Sequence, residues 1–246
     1  MPVFFLSTPV DAEGRFQLSA GDWRHLQKVL RLRTGDLFQV YLPDGSRAEA
    51  ELASQAGLHY GIVKRRFNLP APRPLPLWLG MGFLRASRLE WAVEKLTELG
   101  LARLSLLRFQ QGRQGKSQDI SSNKINRLIK ISKETLKQCE RTTSTQIESP
   151  LSFEAFLNQV ETEATQAQKI ILLERAEAPF LAERIISKKK SWVILVGPEG
   201  GFSRTESETA QAQGFEAASL GTAILRSETA ALYASCVLDS LLKGKG

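Results

Sequence analysis

At 246 residues, with 42% hydrophobic side chains and a formal net charge of +7, the chain is long enough to bury two domain cores or one large α/β core. No apolar run approaches the ~20 residues that cross a bilayer, and the first residues lack the pattern of a signal peptide, so a cytoplasmic protein without membrane contact is expected. Two cysteines and two histidines leave no material for a disulfide framework and little for a metal site, and Cys139 and Cys236, each on an apolar helical stripe, read as inert core thiols.

In chain order, the short apolar pieces Val3–Leu6, Leu37–Leu42 and Tyr60–Val63 are separated by turn signals such as Asp44-Gly45 and predict a small β-rich domain. Pro70, Pro72, Pro74 and Pro76 alternate, which favours a stiff, extended segment, so a linker is placed at residues 71–76 between a domain at 1–70 and another at 77–246. Candidate strands at Leu77–Met81, Leu104–Leu107, Lys169–Leu173 and Trp192–Val196 alternate with helical patterns, the mark of a mostly parallel sheet covered by helices. From Arg88 to Leu99 the apolar spacing is that of a buried helical stripe.

Charge is unevenly spread. Through residue 75 ten Lys and Arg meet seven acids, residues 76–145 hold thirteen against six, and the remainder ten against thirteen. A basic front joined to an acidic rear suits a polyanion docking on the first part, or a plain solubility bias. On a helix over Lys124–Arg141, Arg127, Lys130, Lys133, Lys137 and Arg141 gather opposite Ile125, Leu128, Ser132, Leu136 and Cys139 at ~100° per residue, a face for phosphates or for solvent.

Two segments carry the chemistry. Trp192–Val196 empties into Gly197-Pro198-Glu199-Gly200-Gly201-Phe202, and Ser203 followed by Glu206 reads as a capping box that starts a helix. Backbone is thus exposed at a strand's carboxyl end, where ligands sit in α/β folds. The turn matches neither the P-loop nor the dinucleotide glycine pattern, and Pro198 and Glu199 suit a neutral or cationic ligand better than a pyrophosphate. The second segment, Leu220–Ala230, joins a short strand-like stretch to a terminal helix, Ser227–Leu242, apolar on nearly every side and expected to be buried. Arg226 at its mouth could aim at a negative charge, while Glu228 suits the helix dipole.

These segments, with His25, Leu26, Lys28–Arg31, Gly35 and Asp36, with Arg88, Glu90, Trp91, Lys95, Glu98, Leu99 and Gly100, and with Gln138 and Arg141, resemble the bacterial 16S ribosomal RNA uridine N3-methyltransferases of the SPOUT class. The resemblance implies an N-terminal PUA-like β-barrel that binds RNA and a C-terminal α/β domain closed by a deep trefoil knot. It further implies a homodimer with the active site at the subunit interface, S-adenosylmethionine as cofactor, and 16S ribosomal RNA of the small subunit as substrate. The cofactor loops map to Leu173 and Glu174, to Gly197 through Gly201, and to Leu220 through Thr229, with Leu173, Glu174, Gly197, Gly200, Gly201, Leu220, Ile224, Leu225, Arg226 and Thr229 expected to hold the cofactor.

For catalysis, Arg226 would stabilise charge on the uracil carbonyls as the imide proton leaves, and Glu199 would either accept that proton or hold the turn through backbone amides. RNA contacts are expected from Lys28, Arg31, Arg33, Arg85, Arg88, Arg127, Lys130, Lys133, Lys137 and Arg141. The chain departs from the family pattern at Val3, Arg85, Gln111, Gly112 and Lys137, with Arg108 and Arg113 near enough to substitute. A non-catalytic RNA-binding or ribosome assembly factor on the same fold is the alternative, separable by whether the protein binds S-adenosylmethionine.

Overall fold

The computed structural model describes residues 3–6, 8–43, 46–55, 57–67, 73–109, 121–139, 141, 143–174, 178–186 and 190–243. Asp44, Gly45, Pro70, Pro72, Gln111, Gly112 and Arg113 lie outside them, as does the side chain of Lys137. The chain divides into two compact units, residues 1–72 with 136–142, and 73–135 with 143–246.

The first unit contains β1 (Val3–Phe5), β2 (Arg15–Gln17), α1 (Ala20–Lys28), β3 (Leu37–Tyr41), β4 (Arg47–Gln55) and β5 (Leu58–Phe67). Its five strands run in the order β1-β3-β4-β5-β2, antiparallel except for the β1–β3 pair. Alternation sets its core: Phe38 and Val40 from β3 and Ala48, Ala50 and Leu52 from β4 are buried together with Phe16 and Leu26. Helix α1 was not anticipated, although Ser19 caps it by accepting from the Asp22 amide at 3.1 Å.

The second unit contains β6 (Leu75–Gly82), α2 (Ala86–Leu99), β7 (Leu101–Arg108), α3 (Ser122–Cys139, whose last turn clusters with the first unit), β8 (Gln146–Ile147), β9 (Leu151–Ser152), α4 (Phe153–Glu163) and β10 (Gln168–Leu172). It continues through α5 (Leu181–Arg184), β11 (Trp192–Val196), α6 (Arg204–Ala212), β12 (Glu216–Ala218) and α7 (Ser227–Lys243). The sheet order is β12-β10-β11-β6-β7-β8, with β9 also on β7, and every pairing is parallel. Parallel strands covered on both faces read as continuous apolar runs, and β11 is buried at all five positions. Successive residues feed opposite faces: Leu77, Leu79, Ile170, Trp192 and Ile194 pack with α2 and α7, whereas Trp78, Ile171, Val193 and Leu195 pack with α4 and α6.

Helix α2 buries Leu89, Ala92, Val93 and Leu96 and ends at Gly100, whose φ of 83° is the left-handed conformation that a helix stop of this kind requires. Three expectations need correction. The strand β6 takes up Leu75 and Pro76, so the extended proline pattern runs into the sheet instead of stopping short of it. Helix α7 buries only one side: Ala230, Ala231, Ala234 and Leu238 are covered, but Tyr233 and Cys236 are exposed. Cys236 is therefore no core thiol, although partial burial and nearby Asp239 push its thiol pKa up, and Cys139 is half-buried.

Candidate active site

Strands running in parallel present their carboxyl ends on one side, and the loops leaving β10, β11 and β12 meet there. Leu173 and Glu174 follow β10, the glycine turn follows β11, and Leu220–Leu225 precedes α7. Together they line a cleft of about 430 Å³, with a smaller lobe of about 40 Å³ that reaches Leu225, Ser227 and Ala230. The chain reverses direction across the sheet here: β6 leads outward to β7, and β11 inserts later between β6 and β10, the switch-point geometry that opens a crevice in α/β sheets.

Local chemistry shapes each wall. Gly201 donates its amide to Pro198 O at 2.9 Å with φ at 74°, closing the turn as only a residue tolerant of positive φ can. The capping box forms as expected, Ser203 Oγ accepting from the Glu206 amide at 3.2 Å while the Glu206 carboxylate accepts from the Ser203 amide at 2.8 Å. Leu173 donates to Ala218 O at 3.0 Å, which holds the first wall against β12. Ser227 Oγ donates to Gly197 O at 2.7 Å and pins the start of α7 to the end of β11.

A flat ligand with a polar edge fits this lining. Built Cβ atoms at Gly200, Gly201 and Gly221 would meet nothing within 4 Å, so backbone is open to a ligand on these loops. Leu172, Leu173, Leu220 and Leu225 supply apolar surface, and the larger lobe has the volume of a small-molecule cleft. A groove of about 510 Å³ in the first unit is larger, but its Arg15 pairs with Asp11 at 3.2 Å and it offers no glycine-lined backbone.

Of the residues anticipated for the cofactor, Leu173, Glu174, Gly197, Gly200, Gly201, Leu220, Ile224 and Leu225 line the two lobes. Arg226 and Thr229 do not; both are exposed, Arg226 just ahead of α7 and Thr229 in its first turn, where Ser227 and Ala230 supply the buried side that meets the cleft. Glu199 stands beside the cleft on the turn and accepts from Arg88 Nη1 at 2.8 Å. Arg88 Nε also lies 3.6 Å from Glu228 Oε1. Lining residues outside the anticipated loops are Leu172, Val196, Phe202, Ser203, Arg204, Ser207 and Ala230, and within them Ser227 is one not singled out. The helix-start pattern pointed at Ser203, but nothing in sequence distinguishes the Ser227 hydroxyl.

The anticipated RNA contacts separate into groups. Lys28, Arg31 and Arg33 are exposed at the end of α1 and in the loop after it, with Arg31 at φ 56°. On α3, Lys130 and Lys133 are exposed, and Lys130 is 3.8 Å from Glu134. Arg127 is committed elsewhere, donating Nη2 to Glu90 Oε2 at 2.8 Å, and that bond holds the Glu90 carboxyl below the usual carboxylate range. Arg85 is exposed at the start of α2 and Arg141 is half-buried. Among the described residues no cluster of His, Cys, Asp or Glu is suited to a metal, and no helix is long and apolar enough to cross a membrane.

A parallel sheet with a glycine-lined cleft at its switch point is the frame of a nucleotide-cofactor enzyme, and the RNA methyltransferase domain family matches residues 71–239. The chain is 30% identical over 235 residues to a ribosomal RNA small subunit methyltransferase E of Synechocystis sp., covering 94% of this chain and 75% of that one. To the protein of the same description from Bacillus subtilis it is 29% identical over 240 residues, covering 93% and 92%. The crystal structure of a ribosomal RNA small subunit methyltransferase E from Neisseria gonorrhoeae bound to S-adenosyl methionine superposes with a TM-score of 0.81 at 23% identity over 98% of each chain. The chain belongs to the family of ribosomal RNA small subunit methyltransferase E proteins.

Proposed function

We propose that this protein methylates N3 of a specific uridine in 16S ribosomal RNA, with S-adenosylmethionine bound in the cleft after β10, β11 and β12. The observation that carries the reading is the open backbone of Gly200, Gly201 and Gly221 facing an apolar wall in a chain of this family. Leu173, Leu220 and Leu225 would flank the adenine, and main-chain groups of the loops would read its edge. Bound there, the cofactor supplies a methyl group on a sulfonium already activated for transfer.

The remaining task is to align uridine N3 and stabilise the anion left when its proton departs to solvent. Arg226 suits that role, because it is exposed next to the cleft and has no ion-pair partner among the described residues. Glu199 suits it less as a base, since its carboxylate already accepts from Arg88 Nη1 at 2.8 Å. Its role is to hold the turn. Lys28, Arg31, Arg33, Arg85, Lys130 and Lys133 stand exposed and would contact phosphates.

The same reading takes the first unit as a PUA-like barrel, the passage from β12 to α7 as a trefoil knot, the enzyme as a cytoplasmic homodimer, and the exposed Tyr233 and Ile224 as part of its interface. Mass mapping of methylated nucleotides in ribosomal RNA from cells with and without the protein tests the activity. An N3-methyluridine present only with it supports the reading; identical maps refute it.

A further inference from the structure

Arg88 was anticipated as a phosphate contact, and its surroundings point to a different task. It projects from α2 between two carboxylates on separate segments: Glu199 Oε1 on the glycine turn, at 2.8 Å from Nη1, and Glu228 Oε1 in the first turn of α7, at 3.6 Å from Nε. The Glu228 side chain is only 8% exposed, and its Oε2 is buried without a hydrogen-bond partner among the described residues. A buried carboxylate in that state depends on the nearby cation and on the positive end of its helix. Arg88 therefore supplies neutralisation that Glu228 needs and has its charge balanced before any phosphate arrives.

The segments it ties together are two of the three walls of the cleft. Glu199 lies beside Gly200 and Gly201, and Glu228 follows Ser227, whose hydroxyl is bonded to Gly197 O. Ridding the protein of Arg88 would free the turn from α2 and leave a buried charge unpaired at the start of α7. We propose that Arg88 is a positioning residue, a clamp that sets the glycine turn and the head of α7 at the spacing the methyl donor requires, and that it is not an RNA contact. This rests on the assignment of the cleft to S-adenosylmethionine. A guanidinium reaches two carboxylates through different edges, which an ammonium on a flexible stem does poorly.

The test is calorimetric titration of the full-length protein with S-adenosylmethionine, paired with binding of a small-subunit ribosomal RNA transcript across a salt series. Arg88→Ala is expected to weaken cofactor binding roughly ten-fold or more while RNA affinity and its salt slope stay at wild-type values. Arg88→Lys falls between the two. Arg88→Ala combined with Glu228→Gln recovers part of the loss, because the unpaired buried charge is gone. In turnover, the defect appears in KM for the cofactor and not in KM for RNA.

Cofactor affinity within two-fold of wild type in Arg88→Ala overturns the clamp, as does a flattened RNA salt slope with cofactor binding intact. If Arg88→Ala does not fold, Glu199→Ala decides: it removes the acceptor of a half-exposed bond on the turn, and an unchanged cofactor affinity in that variant overturns the proposal. Wild-type protein that gives no heat with S-adenosylmethionine refutes the cofactor assignment itself, and the clamp with it.

Discussion

Gly82, the last residue of β6, touches Pro198 so closely that a Cβ at position 82 would stand 2.7 Å from Pro198 Cα. Backbone on backbone cannot yield as a flexible side chain can, so the glycine turn takes its position from the neighbouring strand as well as from its own. Gly82→Ala is accordingly expected to cost about 1–3 kcal/mol of stability, the usual penalty of overpacking, and to weaken S-adenosylmethionine binding further than that loss explains. Thermal melts with and without the cofactor check both parts.

Arg226 is exposed and lies off the cleft lining, so its removal leaves the fold and the cofactor walls undisturbed. Arg226→Ala should keep the wild-type melting temperature and cofactor affinity yet lose about 100-fold or more in methyl transfer, as loss of a group that stabilises transition-state charge does. Single-turnover kinetics with labelled methyl donor separate the two readouts.

Lys130 and Lys133 share the exposed face of α3, whereas Arg127 on the same face is already paired with Glu90. Each lysine-to-alanine change should lower the dependence of RNA affinity on log salt by about 1 and weaken binding to all RNA sequences alike. Arg127→Ala should change that slope least. Filter binding from low to high salt measures all three.

Ser203→Ala removes a hydroxyl that satisfies the Glu206 amide and leaves the Glu206 carboxylate to cap alone. The expected cost is ~1 kcal/mol, read as a lower denaturant midpoint at unchanged m-value.

What could be read before the fold was known depended on how local the cause was. Trp192–Val196 coincides with β11 because five consecutive buried apolar residues can only be an inner parallel strand or a buried helix segment, and the glycines after it decide between them. The capping box at Ser203 was legible for the same reason, since both partners lie within one helical turn. Strand β4 was missed, its buried face being built partly from Ala48 and Ala50, which carry little β propensity, and α1 was missed because Leu26 is the one residue it buries fully, too little for an apolar helical stripe to show.

Long-range partners were the illegible part. That Arg88 answers to Glu199 and Glu228, 111 and 140 positions away, or that Ser227 bonds to Gly197, follows from the sheet order and not from any spacing in sequence. Eight of the positions expected to hold the cofactor line the cleft, while Arg226, just ahead of α7, and Thr229, in its first turn, do not.

The most direct measurement is a crystal structure of this protein grown with S-adenosylmethionine. The adenine should lie among Leu173, Leu220 and Leu225, with the donor's remaining atoms over Gly200 and Gly201. Clear electron density for the cofactor elsewhere, with these loops bare, would contradict the account.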